Sequence, residues 1–220
     1  ADLLLMLSSG THGVEGLSGS GAQTALLRDM DWMRRAGAGE VAVLYVHAIN
    51  PHGFSHLRRV TQENVDLNRN FQDFSRPLPS NPAYAQLHPL LLPETWPPDW
   101  RNRGSIVWLI ARNGLRPLQT AVSGGQYERA EAMFFGGTEP TWSHRMLRQL
   151  LREHAGAVRR LAWIDIHTGL GRTGRCERGF MGEPGESVDF ARANAWWGRP
   201  KPLVHSGSRA SRSGQVTGLM

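Results

Sequence analysis

Three largely apolar runs constrain this chain more than any other feature: Asp2-Leu3-Leu4-Leu5-Met6-Leu7, Val41-Ala42-Val43-Leu44-Tyr45-Val46 and Leu161-Ala162-Trp163-Ile164-Asp165-Ile166. Strands buried on both faces read as continuous apolar runs, whereas a strand with one wet face alternates. Between the first two runs, Ala22, Leu26, Leu27, Met30 and Met33 recur at helical spacing within Gly19 to Arg35, and Ala36-Gly37-Ala38-Gly39 ends that pattern. Strands alternating with helices predict an α/β fold, with a mostly parallel or mixed central sheet and helices on both faces. At 220 residues without an internal repeat, a single domain over 1–220 is expected.

The rest of the chain is read around that frame. Asn50-Pro51-His52-Gly53 is a turn by composition, and the stretch from there to Phe71 has no apolar periodicity, so a long functional loop is expected. Residues 76–102 are rich in proline and tryptophan and are read as an insertion, helical only near Ala83 to Leu92. Ser105 to Asn113 and Trp142 to His154 are predicted helices on either side of the link Ser123-Gly124-Gly125-Gln126-Tyr127. A further helix is predicted near Val188 to Trp197 and a loop from Ser206 to Gly218. Beginning inside a strand and ending on Gly218-Leu219-Met220, the chain is expected to be truncated at both ends.

Composition excludes several classes. The net charge is +6, yet arginine supplies all but one of the 25 basic residues and is scattered, with no basic helix or aromatic-studded strand; nucleic acid is not an expected partner. No stretch has the apolar length needed to cross a bilayer, so no membrane partner is expected either. Cys176 is the only cysteine, which rules out an intrachain disulfide and fits a cytoplasmic setting.

The chemistry begins at the end of the first run. His12 and Glu15, three residues apart in Ser8-Ser9-Gly10-Thr11-His12-Gly13-Val14-Glu15-Gly16, can seat two ligands of a zinc ion, and open α/β sheets place their sites at the carboxyl ends of strands. His167 follows the third run as a third candidate. Two histidines and a glutamate leave a fourth tetrahedral position open, the layout of a catalytic zinc site. Each residue also has a bland reading. His12 alone is more often a hydrogen-bonded loop histidine; Glu15 has the alternative of a helix N-terminal acid, and Asp165, on the same strand face as His167, reads equally as a buried structural acid. Arg58 and Arg59 on their own read as solvated charges, Tyr127 as a loop anchor, and the other histidines as surface or packing residues.

With Glu63-Asn64-Val65-Asp66-Leu67-Asn68-Arg69-Asn70-Phe71 between these segments, the chain resembles the zinc carboxypeptidase clan, which combines an HxxE loop, an Asp-x-Asn-Arg and a later histidine. That clan includes carboxypeptidase A and the succinylglutamate desuccinylase and aspartoacylase branch. The strings SSGTHGVEG, NPHGF, NVDLNRNF and DIHTGLG look most like an uncharacterised bacterial branch of it. The resemblance implies a carboxypeptidase-like (phosphorylase/hydrolase-like) fold, with His12, Glu15 and His167 as zinc ligands. It further implies that Asp66 orients a ligating histidine, that Asn68 and Arg69 hold the substrate's free carboxylate, and that Arg59, with Arg58 as the alternative, polarises the scissile carbonyl. Asp165 is expected to support the site. The implied activity is zinc-dependent hydrolysis of an amide bond beside a free carboxylate, in a small peptide or an N-acyl amino acid; a zinc-binding protein without turnover is the third reading. In the clan a glutamate well downstream of the third ligand serves as general base. Glu177, Glu183 and Glu186 do not match its context, and the base is expected to lie outside the chain.

Overall fold

β1 (Leu3–Ser9) is the middle strand of a three-stranded parallel sheet, flanked by β2 (Val41–Val46) and β3 (Arg160–Ile166) in the order β2-β1-β3. A computed structural model describes residues 1–169, 174–180 and 187–198, and the backbone of 201–202. In register, Leu3 faces Val41 on one side and Arg160 on the other, and Ser8 faces Val46 and Asp165. The central position explains the first apolar run: Leu4, Met6, Leu7, Ser8 and Ser9 are all buried, on both faces of the strand. The chain is thus α/β with a parallel sheet. A second, two-residue parallel pairing joins β4 (Gly179–Phe180) and β5 (Lys201–Pro202).

The segment expected as one helix is two. α1 (Gly16–Arg28) ends at Asp29, whose carboxylate accepts from the backbone N–H groups of Asp31 and Trp32 and so caps α2 (Met30–Ala38). Its apolar row is not the packing face either. Leu27, Met30 and Met33 are 49, 81 and 41% exposed, whereas Gly16, Gly19 and Gln23 are buried. The helix lies so close to the strand ends that only small or polar residues fit. A Cβ at Gly19 would stand 2.4 Å from the Cβ of Ser9, and the Gln23 amide donates to the carbonyls of Leu7 (2.8 Å) and Val46 (3.3 Å).

From β2 to β3 the chain is helices and turns. α3 (Pro51–Ser55) is capped by the Asn50 side chain, which accepts from Gly53 N–H at 2.8 Å. α4 (Pro82–Leu91) falls where the insertion was expected to be helical. α5 (Trp100–Asn113) begins earlier than Ser105, and α6 (Leu115–Ser123) lies between that predicted helix and the Gly-rich link, where no element was expected. α7 (Trp142–Leu150) runs into a wider turn at Leu151–Ala155, and α8 is Val188–Trp197. The expected loop from Ser206 to Gly218 lies outside the described residues. Met6, Ile49, Leu67 and Leu147 form the core, with Leu44, Val46, Phe71, Leu151 and Trp163 packed against it. Leu67 therefore anchors Asp66, Asn68 and Arg69 to the sheet.

Two glycines hold the loop after β1 in place. Gly10 has φ +69°, a left-handed backbone that a side chain strains. At Gly13 two backbones cross: a Cβ would stand 1.9 Å from the carbonyl carbon of Gly53 and 2.1 Å from the nitrogen of Phe54. Backbone cannot rotate away as a side chain can. Gly13→Ala is expected to cost at least about 2 kcal/mol in urea unfolding. Gly21→Ala, inside α1 with nothing within 4 Å of the added carbon, should be neutral or slightly stabilising. Equal midpoints for the two variants would contradict the close crossing.

Candidate metal centre

Because β1 and β3 are adjacent and parallel, their carboxyl ends share one edge of the sheet, and the residues that follow them meet there. His12 leaves β1 after Gly10; His167 leaves β3 directly. Glu15 closes a 3-10 turn, Gly13–Glu15. It occupies the N-cap position of α1 but makes no capping hydrogen bond; its carboxylate turns away from the helix. Oε1 lies 3.0 Å from His12 Nδ1, Oε2 lies 3.1 Å from His167 Nδ1, and Oε2 also accepts from Thr168 N–H at 2.9 Å.

The far nitrogens of both rings are held by separate acids. His12 Nε2 is 3.3 Å from Asp66 Oδ1, and His167 Nε2 bonds Asp165 Oδ2. Asp165 is fixed in turn by Ser8 Oγ (2.6 Å) and Thr11 Oγ1 (2.9 Å), and Trp163 Nε1 donates to Ser8 Oγ at 2.7 Å. Asp66 also accepts from Asn68 N–H (3.0 Å) and from Arg59 Nε (3.0 Å). Carboxylates gripping the outer nitrogens are the usual means of fixing tautomer and direction in metal-binding histidines. Both inner nitrogens are left aimed at one carboxylate.

The donor set could hold a metal ion, and its spacing is compatible with zinc. One ligand atom from each of His12, Glu15 and His167 lies within 4.8 Å of the other two, and tetrahedral ligands about 2 Å from zinc stand roughly 3.3 Å apart. His12 is buried and the Glu15 side chain nearly so, whereas the His167 side chain is 35% exposed; the cluster is open to solvent on the His167 side. A groove of ≈ 670 Å³ between His144, Arg145, Arg148 and Gln72 shares no residue with the cluster.

Charges in the cluster sort by partner. Burial pushes the Glu15 carboxyl up, but hydrogen bonds from His12, His167 and the Thr168 N–H outweigh it and hold the group well below the usual carboxylate range. Asp66 and Asp165 are likewise held low against burial, the first by His12 and Arg59, the second by His167, Ser8 and Thr11. Burial alone would lower His167, yet its bonds to Asp165 and Glu15 raise it to about 10. Metal and proton therefore compete for His167 Nδ1. As the metal needs the deprotonated nitrogen, zinc affinity is expected to rise about tenfold per pH unit between pH 6 and 9, with about one proton released per ion. Chelator competition at several pH values checks this; a flat profile would contradict it. The sign for the metal-free fold is opposite. The raised value stabilises the fold below pH 6.5, and that contribution is lost as pH rises through about 10.

Of the two candidate arginines, the structure brings Arg59 to the cluster. Its Nη1 is 3.6 Å from Glu15 Oε1 and its side chain is 40% exposed, while Arg58 is exposed and makes no ion pair among the described residues. Asn68 is half-buried, and its side-chain amide has no hydrogen bond among the described residues. Arg69 is buried, 6% exposed. Nε and Nη2 donate to the Ser123 carbonyl and Nη1 to that of Asn68 at 3.1 Å, so three of its five N–H donors are engaged and two remain. Burial lowers its pKa, partly offset by Asp66.

Three features of the site escape sequence reasoning. Phe134, held at φ +54°, lies under both guanidiniums, 5.3 Å from Arg59 and 5.7 Å from Arg69. Ser123, at the end of α6, caps Arg69. Asn70 is fully buried and ties the motif to the next loop through Gly136, Glu139 and Thr141. None belongs to a spaced motif, and Phe134 is marked only by a strained backbone that no sequence displays. Tyr127 does what the bland reading expects: it is buried, and its hydroxyl donates to the Arg69 carbonyl at 2.7 Å. Of the downstream glutamates, Glu177 is exposed, and Glu183 and Glu186 lie outside the described residues.

Neither the curated proteins nor the solved structures provide a match to this sequence. Residues 1–220 do match one family, described as a protein of unknown function (DUF2817). With the whole length covered, the chain belongs to the DUF2817 family.

Proposed function

We propose that this chain carries the zinc site of a hydrolase that cleaves an amide bond next to a free carboxylate, acting as a carboxypeptidase-like peptidase. The observation that carries this reading is the pairing of His12 with Asp66 and of His167 with Asp165, which aims both Nδ1 atoms at Glu15. Zinc bound there would supply a Lewis acid at an open coordination position. Around it, Arg59 keeps Nη2 free of any partner among the described residues and can donate to a carbonyl oxygen that gains negative charge. The unbonded Asn68 amide and the two remaining N–H groups of Arg69 suit the substrate's carboxylate.

The test is a panel assay with zinc-loaded protein on peptides and N-acyl amino acids, each offered with a free and an amidated carboxyl end. Cleavage should require the free carboxylate by a factor of at least about 100, because a blocked end leaves the site's polar groups unpaired. Turnover confined to N-acyl amino acids would move the reading from peptidase to deacylase. Equal cleavage of free and amidated substrates would remove the carboxylate assignment. Stoichiometric binding without turnover would sink hydrolysis and leave only the metal site.

A further inference from the structure

We infer that α5 is a docking surface for an anionic phospholipid bilayer. The helix packs one side against α4 and α6, where Ile106 and Leu109 line a small apolar cavity with Leu87, Leu90, Leu91 and Leu118. The opposite side has no cover. Trp100, Val107 and Trp108 are 77, 66 and 57% exposed, and Trp96 just before the helix is 82% exposed. Tryptophan is ordinarily among the better-buried residues, so three this exposed within thirteen positions call for an explanation. At about 100° per residue, Trp100, Gly104, Val107, Trp108 and Ala111 fall within an arc of roughly 100°. That arc is a continuous apolar strip.

Charge identifies the occupant. Residues 94–127 contain four arginines, Arg101, Arg103, Arg112 and Arg116, against two acids, Glu94 and Asp99, both before the first turn of the helix. None of the four has an ion-pair partner among the described residues. Helical geometry puts Arg101 and Arg112 along one edge of the strip and Arg103 along the other. Arg101 and Arg112 lie over the rings of Trp100 and Trp108, at 5.3 and 5.2 Å from the centroids. An apolar strip with cations along both edges suits burial at the headgroup boundary, where long basic side chains reach back to phosphates while tryptophan fills the interface. A second copy of this chain fits poorly, because a symmetric pairing would bring unpaired arginines together. Stacked nucleic-acid bases fit less well too, since Val107 and Ala111 interrupt the aromatic rings and the arginines stand at the rim. The absence of a spanning helix among the described residues has no bearing on a surface contact.

Co-sedimentation of the full chain with vesicles tests this. Equimolar phosphatidylglycerol and phosphatidylcholine vesicles should bind at least about tenfold better than pure phosphatidylcholine, and raising salt to about 0.5 M should weaken the binding several-fold. The double variant Trp100→Ser/Trp108→Ser should lose about tenfold while keeping its circular dichroism spectrum and zinc content, because both side chains point to solvent. Arg101→Gln/Arg112→Gln should erase the preference for anionic vesicles. The inference is overturned if anionic vesicles are not bound, or if the tryptophan variant binds as well as the wild type, which would leave only diffuse positive charge. It is also overturned if those substitutions dissolve a dimer seen by sedimentation, or if single-stranded DNA binds this face more tightly than the vesicles.

Discussion

Purified with zinc, the wild-type chain should retain about one ion per molecule, and His167→Ala should retain none above background. Removing a direct ligand should weaken binding by more than the roughly 10- to 100-fold that loss of an outer hydrogen-bond partner costs. The position suits a clean experiment, since His167 follows β3 at the open side of the cluster and its side chain is 35% exposed. A cobalt-substituted sample adds a spectroscopic check: the visible bands of a tetrahedral site should vanish in His167→Ala and persist in Arg58→Ala, whose side chain makes no contact with the cluster. Retention of stoichiometric zinc by a folded His167→Ala protein would remove the proposed ligand set. His12→Ala is expected to match it in metal content but to cost more stability, because His12 is buried.

The second large effect is at Asp66, which is fully buried and touches His12, Arg59 and the Asn68 backbone at once. Asp66→Ala strips the carboxylate from Arg59 and from the field around buried Arg69, and leaves the Asn68 N–H without its acceptor. Breaking such a buried charge pair costs on the order of 3 kcal/mol, and zinc affinity should fall about 10- to 100-fold as His12 loses its orientation. Asp66→Asn, which keeps an oxygen of similar shape, separates the two consequences: it should recover part of the stability and little of the metal affinity. The pH dependence carries a sign. The Asp66 carboxyl is held low in the fold, so its contribution is complete above the ordinary value of 3.8 and is lost as pH falls through the depressed folded value. The stability gap between wild type and Asp66→Asn should therefore narrow in acid. A gap that is constant with pH would show that Asp66 acts through shape alone.

Much of this was legible without coordinates. The apolar runs named all three strands of the main sheet, and β2 and α8 fall at the expected residues. His12, Glu15 and His167 were visible as candidates because ligand residues follow strand ends at fixed spacings, and the structure groups those same three. The misreadings share one cause. Helical periodicity reports which side chains are alike, not which face the sheet will meet: Leu27, Met30 and Met33 recur at helical spacing, yet Gly19 and Gln23 make the contact. The break at Asp29 is not legible in the sequence, because a capping aspartate inside a helical pattern looks like any polar residue.

What the linear order of residues determined by itself was local: which segments are strands, which loops carry donors, and which three side chains could hold a metal ion. Only the folded chain decided the rest. A β2-β1-β3 parallel order put the ends of β1 and β3 side by side, and thereby joined Glu15 to His167 across 152 positions of sequence. The same packing chose Arg59 over Arg58, engaged Arg69 with the Ser123 carbonyl, set Phe134 beneath both guanidiniums, and left one face of α5 uncovered. Those outcomes depend on distances between segments far apart in sequence, and spacing along a chain does not encode them.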